Sequence, residues 1–305
     1  MTREELNQDK QQEIIDEENR QTRKKIVILS LKIIFIIIFL FISFYLYATY
    51  ISTGSLVVKE RRITNSKIPD SFNGLKIIHF SDLHYGSTIF LEDVKDLVKT
   101  INNRNPDIVV FTGDLIDNNY DISTKEQEEL TKQLQGIDAA LGKYAVVGNE
   151  DGENFITVLN QGDFTILNND SELIYKDDNS PILLVGLSSY LKEQTDVEKA
   201  YSYFNDPTHN SEIYTISLVH EPDAVLDIVD KYPTDLFLAG HSHNGTIRIP
   251  YVGALKKVEG AKEYDQAFYK LNKGELYISS GIGTKEPGFR LFCRPSINFF
   301  RLSKN

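Results

Sequence analysis

The longest apolar run of the chain lies near its N-terminus. Residues 26–48 read IVILSLKIIFIIIFLFISFYLYA, with Lys32 as the only charge. As a helix rising about 1.5 Å per residue, this run would extend about 34 Å, which exceeds the ~30 Å hydrocarbon core of a bilayer. Most helices that pack on a protein core keep a polar face toward solvent, and this run has none. The pattern therefore predicts one transmembrane helix over residues 26–50.

The flanks of this helix predict its orientation. The run is too long for the apolar core of a cleaved signal peptide, and no clear A-x-A site follows it, which favours a retained signal anchor. Basic residues crowd its N-terminal side, namely Arg20, Arg23, Lys24 and Lys25. By the positive-inside rule, we expect a single-pass protein of the cell membrane with residues 1–25 as a cytoplasmic tail. Residues 51–70 would form a stalk, and residues 71–305 an extracytoplasmic catalytic domain.

Beyond residue 70, short β-rich runs alternate with helix-like stretches. Leu91–Asn102 and Ser123–Leu141 predict helices, the second of them amphipathic. Eight runs predict strands, at residues 76–80, 107–112, 144–147, 182–185, 213–219, 235–239, 275–279 and 297–302. This alternation is typical of an α/β fold, in which functional groups gather beyond the carboxyl ends of the strands.

Five of these strands run directly into polar clusters. The clusters are SDLH (81–84), GDLID (113–117), GNED (148–151), HEP (220–222) and GHSH (240–243). Glycines before Asp114, Asn149 and His241 permit the tight turns that would direct these side chains to one place. A single D-x-H, Gly-Asp or H-x-H is usually turn or surface chemistry. Five such clusters at strand ends are hard to obtain by chance, so we interpret them as one site.

Composition narrows the chemistry of that site. The net charge is −11, and an acidic chain repels a phosphate backbone, so we expect no nucleic-acid partner. Cys293 is the only cysteine, which excludes an internal disulfide and a thiolate zinc cluster. Oxygen and imidazole donors suit hard or borderline cations instead. The candidate metal ligands are Asp82, His84, Asp114, Asn149, His220, His241 and His243. Outside this set, His79 is expected to be a satisfied core histidine or to support a ligand from behind, and His209 to lie on a surface loop.

Such a donor set can hold two metal ions about 3.5–4 Å apart when one carboxylate bridges them. The ions would polarise a phosphoryl oxygen and lower the pKa of a bound water, and the resulting hydroxide would attack phosphorus in line. Such a site could therefore hydrolyse a phosphate ester.

In this order, the motifs resemble those of the calcineurin-like metallophosphoesterase superfamily. Its pattern is D-x-H, G-D-x-x-D, G-N-H-[DE], a single H and G-H-x-H. The N-terminal helix and the tail LYISSGIGTKEPGFRLFCRPSINFFRL are similar to those of the membrane-associated, YkuE-type bacterial branch. The resemblance implies a four-layer α/β/β/α sandwich after the transmembrane helix. It also implies hydrolysis of a phosphomonoester, phosphodiester or pyrophosphate, with a lipid-linked or cell-envelope substrate favoured by the anchor.

The resemblance further implies a ligand scheme with two divalent or trivalent ions of Mn, Fe or Zn. Asp82, His84 and His243 would bind the first ion. Asn149, His220 and His241 would bind the second, and Asp114 would bridge the two. The oligomeric state stays open.

One motif position departs from the family. Glu150 stands where the family has a His that contacts the phosphoryl group and helps to protonate the leaving group, oriented by the following acid, here Asp151. Glu150 could replace that His only as a protonated carboxyl, which a nearby phosphate anion would favour. Glu150, Asp151 and Asp117 are therefore the candidate catalytic residues.

The departure at Glu150 leaves alternatives to an active hydrolase. One is a weakly active or non-enzymatic metal-binding module of the same fold, and another is a membrane-tethered scaffold. Arg290 and Arg294 have two interpretations as well, either as cations that neutralise the substrate phosphate or as ordinary surface arginines.

Overall fold

The computed structural model describes residues 3–54, 56–285 and 288–305. The chain divides into two compact units, Met1–Ala48 and Thr49–Asn305. The first unit is the helix α1, Arg3–Leu46, which includes most of the expected tail as well as most of the apolar run. The apolar side chains from Ile26 to Leu46 are exposed in the structure, and the helix is long and apolar enough to cross a membrane.

The second unit is a mixed α/β domain. Its helices are α2 (Leu91–Asn102), α3 (Thr124–Gln135), α4 (Glu153–Gln161) and α5 (Val197–Ala200). Shorter helical turns lie at Tyr47–Ile51, Ser52–Gly54, Asp70–Phe72, Ser202–Asn205, Pro222–Asp227 and His243–Gly245. The strands are β1 (Val57–Thr64), β2 (Lys76–Phe80), β3 (Ile108–Phe111), β4 (Lys143–Ala145), β5 (Phe164–Ile166), β6 (Asp170–Ile174), β7 (Ile182–Gly186), β8 (Thr215–Leu218), β9 (Leu236–Ala239), β10 (Arg248–Ile249), β11 (Gly253–Ala254), β12 (Phe268–Lys270), β13 (Glu275–Ile278) and β14 (Ser296–Ser303).

The strands form two six-stranded sheets and one small hairpin. The first sheet has the order β1-β14-β2-β3-β4-β5 and the second has the order β12-β13-β9-β8-β7-β6, while β10 and β11 pair with each other. Strands β2 to β5 are parallel in the first sheet, as are β13, β9, β8 and β7 in the second. The carboxyl ends of each parallel set therefore share one edge of their sheet.

The two sheets pack face to face, and helices cover their outer faces. Within β2, Ile77 joins the apolar cluster between the sheets, and Ile78 joins the cluster that includes residues of α2, α3 and α4. Leu238 of β9 belongs to the same inner cluster as Ile77. The outer face of the second sheet packs against α5 and the turn Pro222–Asp227. Apolar runs buried on both faces are typical of parallel sheets, and the predicted four-layer α/β/β/α sandwich is confirmed.

Strand β1 changes the expected domain boundary. Residues 51–70 were expected to form a stalk, but Val57–Thr64 pairs in parallel with Ser296–Ser303 along its whole length. The segment VVKERRIT lacks the alternation that marks a strand, and its partner lies at the other end of the chain. The domain therefore begins before residue 71, with β1 as an edge strand of the first sheet.

The second predicted helix, Ser123–Leu141, ends earlier than expected, at Gln135. The helix starts where the sequence predicts, because the Ser123 hydroxyl accepts the N–H of Glu126 in a capping box. At its end, the buried Lys143 ammonium donates to the carbonyls of Leu134 (3.2 Å) and Gln135 (3.1 Å). A cation from the next strand thus satisfies the last carbonyls and stops the helix there.

Candidate metal centre

The five polar clusters lie together at the carboxyl ends of β2, β3, β4, β8 and β9. Hydrogen bonds between the two sheets hold these ends in place. The backbone N–H of His241, after β9, donates to Asp82, after β2, at 2.9 Å. His220, after β8, lies with Nδ1 2.5 Å from the carbonyl oxygen of Thr112, after β3. The site is therefore built across the seam between the sheets.

Asp82, His84 and His243 form a first group of donor atoms, all within 4.8 Å of one another. Nε2 of His84 lies 3.1 Å from Nε2 of His243, and the latter lies 3.5 Å from Oδ1 of Asp82. Two imidazole nitrogens that face each other beside a carboxylate match the way ligands converge on a cation.

Asp114, His220 and His241 form a second such group. Asn149 adds its side-chain oxygen, which lies 3.0 Å from Nε2 of His220. In both histidines of this group, a backbone carbonyl faces one ring nitrogen and leaves the other free. The carbonyl of Thr112 faces Nδ1 of His220, and the carbonyl of Glu259 lies 2.6 Å from Nε2 of His241. Nε2 of His220 and Nδ1 of His241 are then the nitrogens available to a metal ion.

Asp114 lies between the two groups. Its Oδ2 is 3.2 Å from Nε2 of His220, in the second group, and 3.9 Å from Nε2 of His84, in the first. Its Oδ1 accepts the backbone N–H of Glu150 at 2.9 Å, which fixes the carboxylate. This is the position that a bridging carboxylate requires.

The backbone is strained where it presents these side chains. Five of the candidate ligands have left-handed φ values, namely Asp82 (51°), His84 (45°), Asp114 (60°), His241 (65°) and His243 (46°). This conformation costs a non-glycine residue about 1–2 kcal/mol. Such strain persists where surrounding contacts impose it, and it clusters at functional sites.

Two motif glycines allow the loops to approach each other. A Cβ atom on Gly148 would lie 2.3 Å from Oδ1 of Asp114, and one on Gly113 would lie 2.6 Å from the backbone nitrogen of Gly148. Both distances are shorter than any tolerated contact, and Gly113 also has a φ of +89°. Glycine is therefore required at both positions by close packing as well as by turn geometry.

The electrostatics of the site fit bound cations. Burial raises the pKa of Asp82 to about 7, with His220 opposing the shift and Asp114 adding to it. Burial together with the Asp114 charge likewise raises the pKa of Asp151 to about 7. Burial lowers the pKa of His84 to about 4, which keeps its imidazole neutral, the form that binds metals. Cations here would favour the charged carboxylates and remove their mutual repulsion.

Asp151 and Asp117 lie beside the candidate ligands. The family resemblance assigns Asp151 to orienting residue 150, but both of its oxygens accept backbone N–H groups, from Asp114, Leu115 and Gly148. Asp117 accepts the backbone N–H of Asn119, and its Oδ2 lies 3.8 Å from Nδ1 of His84. Both carboxylates are placed to position candidate metal ligands.

Glu150 is engaged by two partners. Its Oε1 forms an ion pair with Lys285, and its Oε2 lies 3.5 Å from Nδ1 of His84. Glu150 has a nearly buried side chain, whereas that of Lys285 is half exposed. No sequence signal marks Lys285, because it lies 135 residues after Glu150 in a segment without a motif.

A cavity of ≈ 450 Å³ opens over the donor groups. Its lining includes His84, Asp114, Glu150, His241 and His243, together with two cations, Lys256 and Lys285, and apolar side chains of Ile247, Val258 and Phe289. The cavity thus combines candidate metal ligands, positive charge and an apolar wall.

The remaining basic candidates lie elsewhere. Arg290 was expected either at the substrate or on the surface, but it is fully buried, and its guanidinium donates to the carbonyls of Ser280 (2.6 Å) and Gly283 (2.6 Å). It organises the loop beneath His243. Arg294 is exposed. His79 is buried and His209 is exposed, as expected.

Comparison with known proteins agrees with this geometry. The family model of the calcineurin-like phosphoesterases matches residues 75–245. The metallophosphoesterase YkuE of Bacillus subtilis is 33% identical over 263 residues, covering 85% of this chain and 89% of YkuE.

Two further relatives are named for an enzymatic activity. Phosphodiesterase YaeI of Escherichia coli is 24% identical over 260 residues, covering 84% of this chain and 92% of YaeI. UDP-2,3-diacylglucosamine pyrophosphatase LpxG of Chlamydia muridarum is 25% identical over 294 residues, covering 77% of this chain and 86% of LpxG. The family match and the YkuE likeness show that the chain belongs to the calcineurin-like phosphoesterase family.

Proposed function

We propose that the chain hydrolyses a phosphoester or phosphoanhydride with two bound metal ions. The observation that carries this proposal is the position of Asp114, whose Oδ2 faces His84 of one donor group and His220 of the other. Asp82, His84 and His243 would hold the first ion. Asn149, His220 and His241 would hold the second, and Asp114 would be shared.

When bound, the ions supply Lewis acidity and lower the pKa of a coordinated water. Imidazole and carboxylate donors without thiolate suit Mn, Fe or Zn. The chain itself fixes the donors through the carbonyls behind His220 and His241 and through the amides that Asp151 accepts. Because these groups are set before substrate arrives, little reorganisation is left for the reaction.

The cavity offers a place for the phosphoryl group. Lys256 and Lys285 line it beside the donor groups, and an ammonium at either position would attract a phosphate oxygen. The substrate class therefore includes monoesters, diesters and pyrophosphates. The relatives named a phosphodiesterase and a nucleotide-sugar pyrophosphatase lie within that class.

We further propose that α1 anchors the chain in the cell membrane with the catalytic domain outside the cytoplasm. The apolar run and the basic flank before it support this topology. An anchored active site meets substrates of the membrane or cell envelope first, so a lipid-linked phosphoester is the favoured substrate. The alternative, a weakly active or non-enzymatic metal-binding module, rests on Glu150 in place of the motif His.

The test is metal-dependent turnover by the full chain in nanodiscs. The chain is stripped with a chelator, reloaded with Mn, Fe or Zn, and offered a monoester, an aryl diester and a pyrophosphate. We expect turnover that depends on metal and that Asp114→Asn abolishes with the domain still folded. The exposed Asp138→Asn serves as the matched control. Two tightly bound ions without turnover of any substrate would instead support the non-enzymatic module.

A further inference from the structure

An exposed apolar hairpin projects beyond the carboxyl edge of the second sheet. Strands β10 and β11 are joined by Pro250, Tyr251 and Val252. Tyr251 is fully exposed and Val252 is 74% exposed, and Leu255 and Phe292 beside them are each 61% exposed. Isolated exposed apolar residues need no explanation, but a cluster at the tip of a hairpin marks an interaction site.

The hairpin is held out by a rigid base. The Arg248 guanidinium donates to the carbonyls of Asn244 (3.1 Å) and Asp265 (2.9 Å), and the backbone N–H of Arg248 donates to the carbonyl of Leu291 (2.9 Å). The pairing with Leu291 brings Phe292 to the hairpin. Tyr251 has a left-handed φ of 67°, a strained conformation for a tyrosine. The strained backbone of Tyr251 thus holds its aromatic side chain exposed to solvent.

The charge around this tip differs from that of the whole chain. Residues 246–265 contain four basic residues and three acidic residues, a net charge of +1, in a chain of net charge −11. Lys257 and Lys262 form ion pairs with Asp265 and Glu259, whereas Lys256 is exposed at the cavity. An apolar tip flanked by cations complements an anionic lipid surface, in which the tip enters the acyl boundary and the cations meet headgroup phosphates.

The same segment reaches the active site. Thr246, Ile247, Lys256 and Val258 line the cavity over the donor groups, and they flank the hairpin on both sides. A surface that the hairpin touches therefore lies next to the mouth of the cavity.

We propose that the hairpin Arg248–Ala254, with Leu255 and Phe292, inserts into the interfacial region of an anionic bilayer and brings the cavity to a phosphoester carried by a membrane amphiphile. The second half of this statement rests on the proposed function. The hairpin is a contact with lipid additional to α1. Its tyrosine suits the headgroup level, where amphipathic aromatic rings are enriched.

Fluorescence of the full chain in nanodiscs tests the insertion. The chain has no tryptophan, so Tyr251→Trp adds a single one. The matched control is Tyr175→Trp, because Tyr175 is 52% exposed and follows β6 at the amino end of β7, on the opposite edge of the sheet. In discs rich in anionic lipid, brominated acyl chains should quench the indole of Tyr251→Trp, at a depth of about 5–10 Å. The indole of Tyr175→Trp should be unaffected.

Other outcomes of this experiment overturn the insertion. Equal, solvent-like emission from the two variants would exclude a lipid contact. Shielding of the indole in Tyr251→Trp that appears only in discs holding two chains, and is independent of brominated lipid, would assign the hairpin to a second copy.

Measurements of turnover test the role of the hairpin and the proposed function separately. Val252→Asp should abolish hydrolysis of a phospholipid-like phosphoester in the disc and leave hydrolysis of a soluble aryl diester unchanged, since Val252 lies outside the cavity lining. Unchanged turnover of both substrates would overturn the role of the hairpin in substrate delivery. Quenching in Tyr251→Trp without turnover of either substrate would retain the lipid contact and reject the hydrolase. Turnover of the soluble diester without quenching would retain the hydrolase and reject the lipid contact.

Discussion

The carboxylate of Asp151 accepts a hydrogen bond of 2.8 Å from the backbone N–H of Asp114, although the two residues lie on loops after different strands. The same carboxylate accepts the N–H groups of Leu115 and Gly148 at 2.8 and 2.7 Å. One buried side chain thus ties the loop after β3 to the loop after β4. We infer that Asp151 positions the candidate bridging ligand and does not itself touch substrate.

Asp151→Asn tests this positioning role. An amide nitrogen in place of one oxygen would face a backbone N–H, so at least one buried donor loses its acceptor, at a cost of about 1–3 kcal/mol. We expect a lower free energy of unfolding for the metal-free chain and metal affinity weaker by about 10–100-fold. Chemical denaturation and metal titration measure the two effects. Asp138→Asn, at an exposed site, should change neither. Wild-type stability and affinity in Asp151→Asn would remove Asp151 from this role.

His79 predicts part of the pH dependence of stability. Its Nδ1 lies 3.3 Å from the Asn298 amide nitrogen, which can only donate, so Nε2 carries the proton toward Thr112 at 2.9 Å. Burial lowers the pKa of His79 to about 3, against about 6.5 in the unfolded chain. Between these values the unfolded chain binds more protons, so stability is lost as pH falls from about 6.5 toward 3.

Urea unfolding of the chelated chain between pH 7 and pH 5 measures this contribution. Wild type should lose up to about 1.4 kcal/mol per pH unit more than His79→Gln, which has no group to protonate there. His209 is exposed, so His209→Gln should follow the wild-type curve. Parallel curves for wild type and His79→Gln would show that His79 does not titrate as its burial requires.

Much of the candidate centre follows from local sequence. Runs such as KIIHF are apolar enough to predict buried strands, and the polar residues after them mark the strand ends that the structure brings together. Gly113 and Gly148 also carry local information, since no other residue fits between the loops they join. The four-layer architecture came from the family motifs, because local patterns do not specify which strands pair.

The remainder depends on contacts between distant segments. Strand β1 forms because it pairs with the C-terminal strand β14. Its own sequence is too polar to predict a strand. Lys285 pairs with Glu150, although 135 residues separate the two in the sequence. The buried environment of Arg290 likewise arises from carbonyls of a loop whose path no periodicity encodes. Local sequence patterns identify the residues of a single strand and the loop after it. Contacts with segments distant in the sequence are determined by tertiary packing.

The orientation of α1 is a prediction that cells can test. The basic residues Arg20, Arg23, Lys24 and Lys25 should keep the N-terminus in the cytoplasm. Protease added to intact protoplasts should therefore remove the catalytic domain and leave an N-terminal tag intact. The same digestion after lysis, which removes both, is the control. Protection of the domain in intact protoplasts would reverse the topology.

Glu150 and Lys285 determine what can be expected of the leaving-group step. An alkoxide must be protonated as the P–O bond breaks, whereas a nitrophenolate need not be. Glu150 accepts a hydrogen bond from the Lys285 ammonium, and its other oxygen faces His84, so in this arrangement Glu150 acts as a hydrogen-bond acceptor. The motif His is absent, and the chain should therefore favour aryl diesters, phosphoanhydrides and other good leaving groups.

Glu150→His should raise turnover of alkyl esters more than turnover of aryl esters, since it restores an imidazole where the family has one. General acids contribute about 10²–10⁴-fold, so the alkyl-to-aryl ratio of kcat/KM should move clearly. Glu153→His, the same change at an exposed site outside the cavity lining, is the matched control and should leave the ratio unchanged. If Lys285 already supplies the proton, Lys285→Gln will depress alkyl esters most, and Glu150→His will bring no gain. An unchanged ratio in all three variants would separate position 150 and its partner from the leaving-group step, and Glu150 would then act only through its contact with His84.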